Sequence, residues 1–373
     1  MILAEVALIG AELRRIRLPL VAPFRTSFGT QTEREALLVR VFTSAGEGWG
    51  ECVAMKDPLY SSEYVDGADH MIRNHLLPRL FRQRALTARG VGTVLADVIG
   101  HRMAKAALEM AVLDAELRAQ NVSFAQYLGA ERQTIDCGVS VGIHDSVPSL
   151  LETVERYLSE GYKRVKLKIE PGWDVEPVRA VRERFGDQIP LQVDANTAYT
   201  LEDRDQLKRL DEFGLLLIEQ PFPEEQVLAH AELARYIDTP VCLDESITSA
   251  QTVADAIALG ACEVCNIKPG RVGGYLEAVR IHDLCKLRGV PVWCGGMLET
   301  GLGRGAKIAL AALPGFVLTG DVSASDRYYH RDITEPFVMH QGQLRVPNGP
   351  GLGANVIPAV LDEVTVSAED VRP

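Results

Sequence analysis

No stretch of this 373-residue chain approaches 18 consecutive apolar residues, so the sequence offers no membrane-spanning helix. The N-terminal segment MILAEVALIGAELRRIRLPL starts apolar, but it carries Glu5 and Glu12 and lacks the basic stretch that opens a secretory signal. A cytoplasmic protein is therefore expected. Surplus positive charge is also missing: the net charge is −12, and the basic residues are dispersed among acids, as in RAVRERFGD. That argues against nucleic acid or an anionic membrane as partner and leaves small molecules. Paired cysteine is scarce as well. The seven cysteines are an odd number, and several stand inside apolar runs such as VCLDE and PVWCGG, which points to buried reduced thiols. Only Cys262 and Cys265 have CxxC spacing, and alternation along a strand would turn them to opposite faces, so no zinc site is expected there.

What remains is ordinary in bulk, with 47% hydrophobic and 24% charged residues. The length suits a barrel of about 250 residues with an additional domain of roughly 100 residues. The informative feature is a rhythm. Lys168, Asp194, Glu219, Asp244 and Lys268 are separated by 26, 25, 25 and 24 residues, and each closes a short apolar run. That interval is the length of one strand plus one helix, which places all five at equivalent points of a repeated unit. From Thr134 onward the runs IDCGVSV, RVKLKI, PLQVDAN, LLLIEQP, PVCLDES, EVCNIKP, PVWCGGM and FVLTGD make eight strand candidates, the number of a (β/α)8 barrel. Between them, Val175, Val178, Val181 and Phe185 form one apolar helical stripe, and Leu201, Leu207, Leu210 and Phe213 another. Gly161, Gly260 and Gly289 stand where left-handed helix caps are needed. Before the repeat, residues 1–130 read as an α+β unit: hairpin-like alternation in AELRRIRLPL and ALLVRVFTSAGEGWGE, then a helix carrying Met103, Ala107, Met110, Leu113 and Leu117 on its core face. The expected organisation is α/β: a capping domain at 1–130, a barrel at 131–321, and a segment at 322–373 that packs back on the cap.

Strand phase brings the polar residues together. Lys166 shares a strand face with Lys168, Gln192 and Asn196 flank Asp194 on one face, and Asn266 shares a face with Lys268. At the carboxyl ends of barrel strands such side chains enter one mouth. Ionised groups facing a barrel interior each cost several kcal/mol unless paired or metal-bound, so three carboxylates among three lysines call for a cation. Oxygen ligands with no histidine at any strand end select a hard ion, magnesium or else manganese, over zinc.

The segments KLKIEPGWD, QVDANTAYT, LIEQP, CLDES, NIKPGRVGGY and WCGGMLETGLGR, with VAPFRTSFGTQ, GEGWGECV and PLYSSEY near the start and GDVSASDRYY near the end, resemble the enolase superfamily. Within it, the resemblance is to the muconate cycloisomerase-like branch and to the N-succinylamino acid (N-acylamino acid) racemases that also act as o-succinylbenzoate synthases. It spans nearly the whole chain. The resemblance implies an N-terminal cap over a modified TIM barrel, metal ligands Asp194, Glu219 and Asp244, and an acid/base pair of Lys168 and Lys268. The implied reaction removes the proton beside a substrate carboxylate through an enediolate, giving racemisation or dehydration. A base at Lys168 must be neutral, which the ammonium of Lys166 two residues away favours. Phe24, Arg25, Phe28, Met55 and Tyr60 match the two cap loops over the substrate. Ser140, Asn196, Gly295, Gly296, Met297, Leu298 and Lys166 stand at barrel strand ends beside it. The family also implies a homo-oligomer, an even-numbered ring such as an octamer, and the synthase activity would belong to menaquinone biosynthesis. Muconate cycloisomerase and dipeptide epimerase share the lysine and carboxylate set; the latter would carry Asp-x-Asp where Asp321, Val322 and Ser323 stand. A catalytically silent binding protein would lack a ligand or a base, and neither is missing.

Overall fold

A computed structural model describes residues 5–373; the apolar opening of the N-terminal segment, residues 1–4, lies outside the described residues. The chain begins with three antiparallel strands, β1 (Leu8–Thr26), β2 (Gly29–Thr43) and β3 (Gly46–Cys52). The Arg102–Ala119 helix lies across them, with Met103, Ala107, Met110, Leu113 and Leu117 all buried, as their spacing predicts. Its closeness to β3 explains the glycines of GEGWGE. A Cβ on Gly48 would stand 2.2 Å from the carbonyl oxygen of Ala111, and one on Gly50 2.0 Å from that of Ala107. Alanines on the helix and glycines on the strand let two backbones meet without side chains between them.

IDCGVSV divides in two. β4 (Thr134–Asp136) leaves the barrel, and the barrel starts at β5 (Gly138–Val141). Then come β6 (Arg164–Lys168), β7 (Leu191–Asp194), β8 (Ile218–Glu219), β9 (Val241–Leu243), β10 (Val264–Ile267) and β11 (Val292–Cys294). These seven are parallel and adjacent in sequence order. The eighth expected strand, FVLTGD, is not a regular strand. Leu318 N–H donates to Val292 O and Asp321 N–H to Cys294 O, while Gly138 N–H donates to Gly320 O, so the segment still spans β11 and β5 and closes the ring. The Arg164 guanidinium occupies the ladder position instead, donating to Thr319 O at 3.0 and 3.1 Å.

The Val175–Phe185 helix buries Val175, Val178 and Val181 as expected. The stripe at Leu201–Phe213 is two 3₁₀ segments around one short α-helix, and Leu207, Leu210 and Phe213 still reach the core. Gly161, Gly260 and Gly289 end their helices at φ 98, 73 and 70°. Late in the chain, β12 (Gln343–Arg345) pairs with β4, and β13 (Thr365–Val371) pairs antiparallel with β1. All seven cysteines are free and buried. Cys262 precedes β10 rather than lying on it, so strand alternation does not part it from Cys265, whose thiol neighbours those of Cys262 and Cys285.

Candidate active site

Register builds the site. Lys168 is paired with Asp194 across β6 and β7, and Asp194 with Glu219 across β7 and β8. Asp244 follows β9 and Lys268 follows β10, so the five periodic residues arrive at one end of the barrel. β6 and β10 have three strands between them, which sets Lys168 and Lys268 across the barrel mouth from each other. Each lysine has its own carboxylate. Lys168 Nζ donates to Asp194 Oδ2 at 2.5 Å and Asn196 Oδ1 at 2.6 Å. Lys268 Nζ donates to Asp244 Oδ2 at 2.6 Å and Tyr60 Oη at 3.0 Å, and Tyr60 in turn donates to Asp244 Oδ2 at 3.1 Å.

Lys166 lies at the centre. Its ammonium is 2.5 Å from Asp321 Oδ2, 2.8 Å from Glu219 Oε2 and 3.1 Å from Asp194 Oδ2, and 4.8 Å from the centre of the Trp293 ring. The charge expected to act on Lys168 is thus ringed by three carboxylates. Burial opposes the Lys166 charge, but Asp321, Glu219 and Asp194 outweigh it and hold its pKa well above the usual lysine range. Burial likewise opposes ionisation of Asp194, yet Lys168 and Lys166 hold its carboxyl well below the ordinary value. Glu219 goes the other way. Burial, then the negative charge of Asp194, push it up despite Lys166. Lys268 is held protonated against burial by Asp244 and Tyr60.

Among the described residues, no three carboxylate, imidazole or thiol side chains converge as a metal-binding group; the carboxylates face ammonium groups instead. The residues nevertheless fit a cation. Asp244 Oδ1 is buried with no partner, and Glu219 has its ionisation opposed by like charges, both of which a hard cation relieves. Asp194, Glu219 and Asp244 would hold it.

The pocket above is walled by Phe24, Phe28, Met55 and Tyr60 from the cap and by Ser140, Lys166, Lys168, Asn196, Lys268, Gly296, Met297 and Leu298 from the barrel. Asp194, Glu219 and Asp244 form the buried floor beneath, each at most 1% exposed. Arg25 does not join this lining. Its guanidinium reaches Asp145 at 3.2 Å and Glu170 at 3.1 Å, tying the β1–β2 turn to two barrel loops. Gly295 is not in the wall either; a Cβ there would stand 2.3 Å from Asn266 Oδ1 and 2.7 Å from Lys268 Cε, so the bare backbone makes room for both side chains. Sequence reasoning missed Thr26, Gln31, Asp321 and Tyr328, which also line the pocket. Asp321 had a signal, as the acid closing the eighth apolar run. Thr26 closes β1, Gln31 lies near the start of β2 and Tyr328 follows a short 3₁₀ turn, all outside the strand-and-helix repeat that marks the other site residues.

Residues 9–129 match the model of the mandelate racemase / muconate lactonizing enzyme N-terminal domain, and residues 149–360 that of the enolase C-terminal domain-like family. The chain is 68% identical to an N-succinylamino acid racemase of an Amycolatopsis species, over 96% of this chain and 97% of that one. It is 49% identical to an o-succinylbenzoate synthase of Geobacillus kaustophilus, over 92% of each. A crystal structure of an enolase superfamily member from Listeria innocua superposes with a TM-score of 0.95 at 40% identity, covering 98% of this chain and 99% of that one. With a cap, a parallel barrel and a matching model for each, the chain belongs to the mandelate racemase and muconate lactonizing enzyme family of the enolase superfamily.

Proposed function

We propose that this protein removes the proton α to the carboxylate of N-succinylated and related N-acylated amino acids, racemising them, and that the same site forms o-succinylbenzoate by dehydration. The observation that carries this reading is the pair of buried lysines, Lys168 and Lys268, facing each other across a carboxylate floor. The similarity to a racemase at 68% identity and to a synthase at 49% supports both activities.

Enzymes of this superfamily generally use a divalent metal, and magnesium, with manganese as second choice, is the ion we propose. When bound it supplies positive charge at the substrate carboxylate, where the second negative charge of an enediolate develops. In racemisation, Lys168 in its neutral form accepts the α-proton from one face and Lys268 delivers one to the other. In dehydration, Lys168 takes the proton and then gives it to the departing hydroxide, while Lys268 remains an ammonium beside the enolate. Phe24, Phe28, Met55 and Tyr60 exclude water and contact the acyl arm. Ser140 and the backbone from Gly296 to Leu298 are the polar contacts for the substrate, and Asn196 lines the pocket with its amide turned to Lys168.

A dipeptide epimerase needs free carboxylates for a peptide amine. Asp321 is instead engaged by Arg164 at 2.7 Å and Lys166 at 2.5 Å, and Ser323 stands two residues on, which favours acylated substrates. The proposed organisation is a cap at 1–130, a barrel at 131–321 and a returning segment at 322–373, assembled as an even-numbered homo-oligomer in the cytoplasm. No helix among the described residues is long and apolar enough to cross a membrane.

The test is proton NMR of N-succinyl-L-phenylalanine in deuterium oxide with enzyme and magnesium. The α-proton signal should vanish and the other enantiomer appear. Lys168→Ala should abolish exchange from one enantiomer, a loss of at least about 10²-fold for a general base. Absence of exchange by the wild type would remove the racemase reading and leave the synthase reaction to be assayed alone.

A further inference from the structure

Glu245 is a buried acid with no part in the mechanism above. It follows Asp244 directly and is 3% exposed. Its Oε1 accepts a hydrogen bond from Asn196 Nδ2 at 3.0 Å, and its Oε2 is buried without a partner. Asn196 is 4% exposed and uses its other amide atom, Oδ1, to accept from Lys168 Nζ at 2.6 Å. Its backbone is pinned independently. The Asn196 N–H donates to Asp194 Oδ1 at 3.0 Å, the Ser27 hydroxyl donates to Asn196 O at 3.1 Å, and φ is +42°.

We infer that Glu245 is a positioning residue for the base at Lys168, acting through Asn196. The proposal rests on the two-lysine reading of the site. An asparagine amide fits its cavity almost equally well either way round, and only its hydrogen bonds choose between the orientations. If it turned over, its NH₂ would face the Lys168 ammonium, donor against donor. Glu245 Oε1 prevents this. Whether as carboxylate oxygen or as the carbonyl of the acid, that atom only accepts, so Nδ2 is drawn toward Glu245 and Oδ1 is left for the lysine. Asp194 Oδ2 is shared between Lys168 and Lys166, whereas Asn196 Oδ1 serves Lys168 alone. Asn196 therefore sets the direction of the lysine Nζ.

The effect is one-sided. Asp244 and Glu245 are neighbours in the chain but face opposite partners: Asp244 Oδ2 receives Lys268 and Tyr60, and Glu245 receives Asn196. Neither Glu245 nor Asn196 hydrogen-bonds to Lys268. A defect at Glu245 thus reaches the proton on the Lys168 face of the substrate through a chain of hydrogen bonds, and touches Lys268 only through space, as one of the weaker charges acting on it.

The experiment measures α-proton exchange in deuterium oxide separately from each enantiomer of N-succinylphenylalanine, with the magnesium-loaded enzyme. Lys168→Ala identifies the enantiomer that Lys168 serves. Glu245→Met, which removes the acceptor and so lets Asn196 turn, should slow exchange from that enantiomer at least about tenfold and leave the other within about twofold. In an Asn196→Ala background, Glu245→Met should add no further loss, because the connecting amide is gone. Glu245→Ala carries the same expectation if Glu245→Met does not fold. Equal slowing of both enantiomers, no slowing, or additive losses in the double variant would overturn the proposal while leaving the two-lysine reading intact. A wild type that exchanges neither enantiomer would overturn both.

Discussion

Lys166 departs most from what its position in the chain suggests. Two residues from Lys168, it reads as a second charge that acts on the base, yet the fold surrounds it with Asp194, Glu219 and Asp321. An ammonium among three buried carboxylates does what a divalent cation would do there, and that supports a prediction. Lys166→Met leaves buried charge uncompensated and should destabilise the metal-free protein by about 3–5 kcal/mol, the usual cost of breaking a buried pair from one side. Magnesium should then raise the melting temperature of the variant more than that of the wild type, because the ion takes over the missing positive charge. An equal or smaller rise would show that the ion and Lys166 do not share the cluster. The tight spacing of Lys166 and Lys168 was readable from the chain, but the triple pairing was not. Asp321 comes from the far end of the barrel sequence, and only ring closure brings it to β6.

The elements of the cap and barrel meet through acids placed at helix starts. Glu51, at the end of β3, accepts from Thr300 N–H at 3.0 Å, from the Thr300 hydroxyl at 2.7 Å and from Gly303 N–H at 3.1 Å, at the N-terminus of the Gly301–Ala311 helix. Glu109, on the Arg102–Ala119 helix, accepts from Leu276 N–H at 3.1 Å, at the start of the Tyr275–Arg288 helix. Both satisfy backbone donors that a helix leaves open and lie at the positive end of its dipole. Burial nevertheless dominates at Glu109 and pushes its carboxyl from 4.5 up to about 8, against the Leu276 and Tyr275 N–H groups. The folded value is above the unfolded one, so this contribution is full below about pH 4.5 and is lost as pH rises through about 8. Glu109→Gln is neutral at every pH and escapes that loss. Urea unfolding should therefore show the variant gaining stability relative to wild type between pH 5 and pH 8, and a pH-independent difference would contradict the buried-acid account. Such contacts link residues far apart in sequence, and a glutamate on a helix carries no mark of whether it meets solvent or another helix. Helix ends at Gly161, Gly260 and Gly289 were legible because left-handed backbone is a local demand. FVLTGD looked like a strand because its composition is strand-like, but the barrel seam there is held by Arg164 and by bonds to two neighbours that composition does not reveal.

At the scale of the molecule, the chain enters through the cap, winds the barrel, and returns to the cap when β13 adds to the outer edge of β1. The turn between β1 and β2 is tied to the barrel mouth by Arg25 and by Ser27, whose hydroxyl donates to Ala195 O at 3.2 Å and Asn196 O at 3.1 Å. Chemistry and closure are thus joined: the wall over the site is also a clasp between cap and barrel. Because the floor gathers three carboxylates, exhaustive chelation should abolish α-proton exchange and added magnesium should restore it. Full activity after chelation would remove the metal from the mechanism.

The barrel class, the approach of five polar residues to one mouth and the oxygen-rich character of the floor could be read from the residues alone. They follow from periodicity, and periodicity in a chain of alternating strands and helices is a local property that converts directly into direction. The tertiary structure decided which charge meets which. Arg25 faces two barrel loops and not the pocket, Gly295 yields space to Lys268, Asp321 closes on Lys166, and Glu245 turns away from its neighbour to hold Asn196. Those outcomes depend on side chains from separate turns of the barrel competing for the same few ångströms of buried space, where each polar atom must find a partner, and no single segment of the chain contains that information.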